Sequence, residues 1–126
     1  MSSDVADVER VLRLYFDGLY EGDTKKLAGA FHPASHLYSV GPDGKAADLP
    51  RGEWFKLVES RPSGKARNLA RADRIVSIDF SGPATAIAKV ECQLPPRYFT
   101  DYLTLMKAEG EWKVISKTFL TVTREG

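Results

Sequence analysis

Tyr98-Phe-Thr-Asp-Tyr-Leu-Thr-Leu-Met-Lys107, followed by Ala108-Glu109-Gly110-Glu111 and the run Trp112 to Thr123, reads as two long strands joined by a tight hairpin. Alternation sets Phe99, Asp101, Leu103 and Leu105 on one face and Thr100, Tyr102, Thr104 and Met106 on the other. Neither set has the polarity of a solvated strand face. A sheet half-buried on both sides implies helices against one face and a partner subunit against the other, so a homodimer through the outer sheet face is expected.

Working outward, Thr85 to Leu94 reads as another strand. Ser81-Gly82-Pro83 before it is a turn, and Arg71 to Phe80 alternates with Val76, Ile78 and Phe80 on one side. The N-terminal half is helical. Val5, Val8, Leu12, Tyr15 and Leu19 recur at three- and four-residue spacing, and Gly22 is a natural stop. Asp23 or Thr24 can cap a second helix that must end by His32-Pro33. A short β-prone run, His36 to Val40, and the turn Gly41-Pro-Asp-Gly44 precede a third helix, Arg51 to Ser60. That helix has Trp54, Phe55, Leu57 and Val58 inward. Three helices followed by a meander of antiparallel strands define an α+β plan, with residues 1–126 as one domain.

Composition narrows the functional classes. The chain has 126 residues, 43% of them hydrophobic, and 18 Lys+Arg balance 17 Asp+Glu to a formal charge of +1. So neutral a chain lacks the basic footprint of a nucleic-acid binder. The charge is segregated, however. Residues 1–23 hold six acids and two bases, whereas 51–74 hold seven bases and three acids. The basic set reads as a solvated helix face and strand edge, or as an attraction for an anionic ligand. One cysteine, Cys92, cannot form an internal disulfide, and a reducing, cytoplasmic setting is expected. The acidic start lacks the apolar core of a signal peptide, and no run is long enough for a membrane helix.

The residues able to carry chemistry are few. Asp101 interrupts an apolar face, where a carboxylate is costly. It is either a pocket acid or the partner of Lys117 or another base on the next strand, and the alternation Ile115, Lys117, Phe119 would turn Lys117 inward beside it. Tyr15 is a core residue or, facing a cavity, a donor to a ligand oxygen. Tyr38, Trp54, Phe55, Phe99 and Phe119 supply core or pocket wall for a small apolar or aromatic ligand. His36 and Glu91 are candidate proton carriers, with a strand edge and a solvated strand face as their plainer readings. His32 and His36 are four apart, but Pro33 breaks the helix that would align them, so no metal site is expected. Cys92 has no adjacent base and reads as a small hydrophobe. No Gly-rich phosphate loop, Ser-His-Asp order or CxxC is present, and no cofactor is expected.

Gly22-Asp23, Phe31-His32-Pro33, Arg61-Pro62-Ser63, Ala88-Lys89-Val90-Glu91, Phe99-Thr-Asp-Tyr-Leu103 and Gly110-Glu-Trp-Lys-Val-Ile115 together resemble the lumazine-binding branch of the nuclear-transport-factor-2-like superfamily. The resemblance implies a cone, in which a bent sheet wraps three helices around a pocket at its wide end and pairs with a second copy. Steroid delta-isomerases share that superfamily, and their oxyanion hole maps onto Tyr15 and Asp101. Their catalytic base falls on Ser39, which cannot accept a proton from carbon. Steroid-type isomerisation is therefore not expected unless His36 or Glu91 supplies the base. Two functions follow: a homodimeric small-molecule binder, or a cofactor-free isomerase, cyclase or dehydratase built on Tyr15 and Asp101.

Overall fold

The computed structural model describes residues 3–124. Helix α1 (Asp4–Glu21) starts where Ser3 Oγ accepts the Ala6 N–H at 3.1 Å, with Asp4 and Asp7 against the positive end of its dipole. It stops at Gly22, whose φ of 67° is left-handed, and a Cβ there would come within 2.9 Å of the Ser63 Cβ. Of the two candidate caps, Asp23 opens α2 (Thr24–Ala30), accepting from Lys25 N and Lys26 N. Strand β1 (Phe31–Val40) follows directly. It begins five residues before the expected His36, since Phe31 already pairs with Val114. A turn at residues 41–45 leads to β2 (Ala46–Pro50), an exposed edge strand whose Ala-Ala-Asp-Leu-Pro carries no β signal, and then to α3 (Arg51–Glu59).

Only Trp54 of α3 is fully buried. Leu57, expected inward, is 43% exposed. Residues 61–73 form a loop rather than the start of a strand. Arg71 is drawn to Asp17 (2.5 Å) and Asp73 (2.7 Å), so β3 runs only over Arg74–Ser81. Strands β4 (Thr85–Leu94), β5 (Arg97–Ala108) and β6 (Glu111–Thr123) complete the chain. The β5–β6 turn places Glu109 (φ 53°) and Gly110 (φ 80°) in the left-handed region that a two-residue hairpin demands.

The six strands form one curved, unclosed sheet in the order β2-β1-β6-β5-β4-β3. All neighbours are antiparallel except β1 and β6, so the sheet is mixed rather than purely antiparallel. The helices cover its concave face, and Val8, Leu12, Tyr15, Leu27, Val90, Leu103 and Val114 share one buried cluster. The fold is the α+β plan read from the sequence.

Two bulges set which side chains enter that core. Between Thr104 and Leu105 the register with β6 slips, so Ile115 is the extra residue and Val114, not Ile115, precedes Lys117 on the inner face. A second slip between Ile75 and Ser77 puts Ile75 with Ile78 and Phe80 against the core, in place of the expected Val76. Lys117 faces inward because the β6 bulge resets the pleat, and this positions the site.

Candidate functional site

Between the C-terminal end of α1, helix α3, the 61–64 loop and the ends of β4, β5 and β6 lies a cavity of about 240 Å³. This falls slightly below the roughly 300–1,000 Å³ of drug-sized sites, so it suits a compact ligand. Trp54, Phe99, Phe119, Leu37 and Leu49 make its wall largely apolar. The loop is tied down rather than free. Lys65 N donates to Tyr20 O (3.0 Å), and the Tyr20 hydroxyl donates to Leu69 O (2.7 Å). Gly64 lets the loop approach, since a Cβ there would meet Leu94 Cδ2 at 2.7 Å.

Lys117 is the one charged side chain in the depth of this wall, and it is only 4% exposed. Its Nζ donates to the Tyr15 hydroxyl at 2.7 Å, and that hydroxyl donates to Asp101 Oδ2 at 2.6 Å. The direct Lys117–Asp101 separation is 4.0 Å. Three rings surround the ammonium, with centroids 4.9 Å (Tyr15), 4.9 Å (Trp54) and 4.8 Å (Phe119) away, a cation–π cage that offsets part of its lost hydration. Tyr15 and Asp101 are fully buried and lie beneath Lys117, behind the cavity wall.

Burial, reinforced by the Asp101 charge, raises the Tyr15 phenol well above its usual pKa, so it keeps its proton and serves as a donor. Cys92 adjoins the same carboxylate, its Sγ 3.9 Å from Asp101 Oδ2. Burial, then the Asp101 charge, pushes its thiol up to about 12. Only the thiolate is nucleophilic. Iodoacetamide at about pH 8 should therefore leave Cys92 intact in folded protein and alkylate it in urea, as read by intact mass. Rapid native alkylation would contradict this burial.

At the rim, Arg61 is exposed and Arg97 half-buried. Burial and then the like charges of Arg61 and Arg67 lower the Arg97 pKa, a sign of concentrated positive charge at the mouth. No carboxylate or imidazole lines the cavity among the described residues.

Of the residues singled out in the sequence, Trp54, Phe99, Lys117 and Phe119 meet at the cavity, with Tyr15 and Asp101 beneath it. Three lie on the outer face of the sheet. His36 and Tyr38 have the parity opposite to Leu37 and stack on each other on the outer face, and the His36 ring lies 2.6 Å from Asp48. Glu91 pairs across from Thr100 on the same outer face and sits 3.5 Å from Arg74. The sheet stands between these groups and Lys117. Phe55 turns away from the cavity under the Arg51 guanidinium. Ser39 shares the inner parity of Leu37 but stops short of the cavity. Arg97 was not anticipated, because turn-flanking arginines look like ordinary solvated charge.

A family model described as "Putative lumazine-binding" matches residues 3–120. The chain belongs to that family. The chain is also 28% identical over 125 residues to a protein named aldolase FrzH from Cladobotryum sp, covering 98% of this chain and 95% of that one. Among solved structures it is similar to an NTF2-like protein of unknown function from Shewanella baltica OS155. The TM-score is 0.84 at 25% identity, over 98% of this chain and 100% of that one. A ketosteroid isomerase-like protein from Erwinia carotovora atroseptica shares the fold, with TM-score 0.72 at 14% identity, over 98% of this chain and 100% of that one. The NTF2-like superfamily assignment thus stands on sequence and on fold. No described helix is long and apolar enough to cross a membrane.

Proposed function

We propose that the cavity binds a compact, apolar or aromatic carbonyl compound and that Lys117 polarises its oxygen. The observation that carries this reading is a buried lysine in the wall of a largely apolar cavity, its ammonium held from behind by Tyr15 and Asp101. A ligand oxygen reaching that floor meets a charged donor in a water-poor site, where such a bond is worth more than in solution. The Tyr15–Asp101 pair then acts through Lys117, in place of donating directly to the ligand as a steroid-isomerase oxyanion hole does. With Ser39 short of the cavity and His36 and Glu91 behind the sheet, a simple proton shift finds no carboxylate or imidazole in the cavity lining among the described residues. The similar Cladobotryum protein carries the name aldolase. Aldol chemistry starts from an activated carbonyl, which supports carbonyl activation over inert storage.

The test is calorimetric titration with acetophenone and with 2-phenylpropene, in which a methylene replaces the oxygen. A charged hydrogen bond of about 1.5–3 kcal/mol predicts about 10- to 100-fold tighter binding of the ketone. Equal affinities would sink the reading.

The same reading includes a dimer. Tyr38, Val40, Ile87, Tyr102, Leu120 and Val122 are all exposed on the outer sheet face, spread over four strands. An apolar patch of that extent suits a second copy of this chain. Tyr102→Lys, placing charge at its centre, should give a monomer by sedimentation where the parent sediments as a dimer. A parent that sediments as a monomer at micromolar concentration would remove the dimer.

A further inference from the structure

Resting on that reading, we infer that Lys117 is an amine nucleophile that captures the bound carbonyl as a Schiff base, with Tyr15 and Asp101 as its proton path. Three observations converge. The Lys117 side chain is enclosed by rings yet forms part of the cavity wall, so its nitrogen meets a ligand in an apolar setting, the environment in which lysines act as nucleophiles. Its hydrogen bond leads away from the cavity, through one hydroxyl to one carboxylate. The second carboxylate oxygen, Asp101 Oδ1, has no partner among the described protein groups, so the carboxylate is not saturated with donors and its Oδ2 can take the proton that Tyr15 relays.

The step balances. Lys117 passes one proton to the Tyr15 oxygen while Tyr15 passes its own to Asp101, leaving a neutral amine, a phenol and a carboxylic acid. The nitrogen lone pair attacks the carbonyl carbon, and the carbonyl π pair moves to oxygen. A proton shift from nitrogen to oxygen gives the carbinolamine. The proton held by Asp101 returns through Tyr15 to the carbinolamine hydroxyl, the C–O bond breaks and water leaves. The product is an iminium with one positive charge beside an ionised Asp101, the same net charge as at the start. No oxidant or metal is required. The other nucleophile beside Asp101, Cys92, does not line the cavity, and burial raises its thiol pKa.

The experiment uses 1-phenylbutane-1,3-dione, an aromatic 1,3-diketone whose condensation with an amine gives a conjugated, stable enaminone. Full-length protein is incubated with the diketone. Adduct formation is followed by near-ultraviolet absorbance and located by peptide mapping, and non-covalent binding is read from quenching of the tryptophan fluorescence, to which Trp54 in the cavity wall and Trp112 both contribute. The expected result is a mass gain of the diketone less one water, at Lys117 ahead of every other lysine. Lys117→Met should abolish it. Tyr15→Phe should slow it by about 100-fold while the quenching constant changes little, which separates proton transfer from mere packing. Quenching without a Lys117 adduct overturns the Schiff base and leaves the binding proposal standing. Neither quenching nor adduct overturns both.

Discussion

Lys117→Met lowers the affinity for acetophenone by about 10- to 100-fold and leaves that for 2-phenylpropene within a factor of about three. Methionine keeps the length and apolar stem of the side chain, so the wall formed with Trp54 and Phe119 stays closed. What disappears is the charged donor at the cavity floor. A drop of equal size for both ligands, seen by calorimetry, would mean that the substitution collapses the cavity, and the role given to the ammonium would fail.

The second large effect concerns stability. Asp101→Leu alone removes the carboxylate that faces Lys117 at 4.0 Å and accepts from Tyr15 at 2.6 Å. It leaves a buried ammonium uncompensated and a phenol donor without an acceptor. The expected cost is about 3–5 kcal/mol in urea unfolding. The triple variant Tyr15→Phe, Asp101→Leu, Lys117→Met replaces the whole chain with packed apolar groups and should return to within about 1–2 kcal/mol of the parent, because the desolvation cost goes with the charges. A triple variant as unstable as Asp101→Leu would show that the site is held by packing and not by its charges. This contrast has a functional side. Were apolar residues to fill this space nearly as well, stability would not account for the lysine, tyrosine and aspartate there, and a working site would.

Much of the fold was legible because its long elements carry strong local signals. The α1 stripe ends at Gly22, and β4 and β5 alternate over ten or more residues each. The short edge strand β2 was not legible, since Ala-Ala-Asp-Leu-Pro acquires its strand geometry from pairing with β1. The parallel β1–β6 pairing was equally hidden, being a contact between residues about 80 apart in sequence.

Site legibility followed the same division. Asp101 and Lys117 stand out as charges within apolar alternations, and a carboxylate between Phe99 and Leu103 has few structural explanations. His36, Tyr38 and Glu91 were drawn to the site by chemistry alone, and the parity of β1 and β4 sends them outward. Lys117 took the correct face although the alternation counted back to Ile115 was broken by a bulge. Such a slip leaves no mark in the residue pattern. That Tyr15 stands between Lys117 and Asp101, turning a pair into a relay, depended on α1 packing across the sheet.

A crystal structure of the protein with acetophenone bound tests the central claim most directly. The account predicts the ring between Trp54 and Phe119, with the carbonyl oxygen about 2.7–3.2 Å from Lys117 Nζ, or its carbon joined to that nitrogen. A ligand whose oxygen points out toward Arg61 and Arg97, with Lys117 still bonded only to Tyr15, would contradict it.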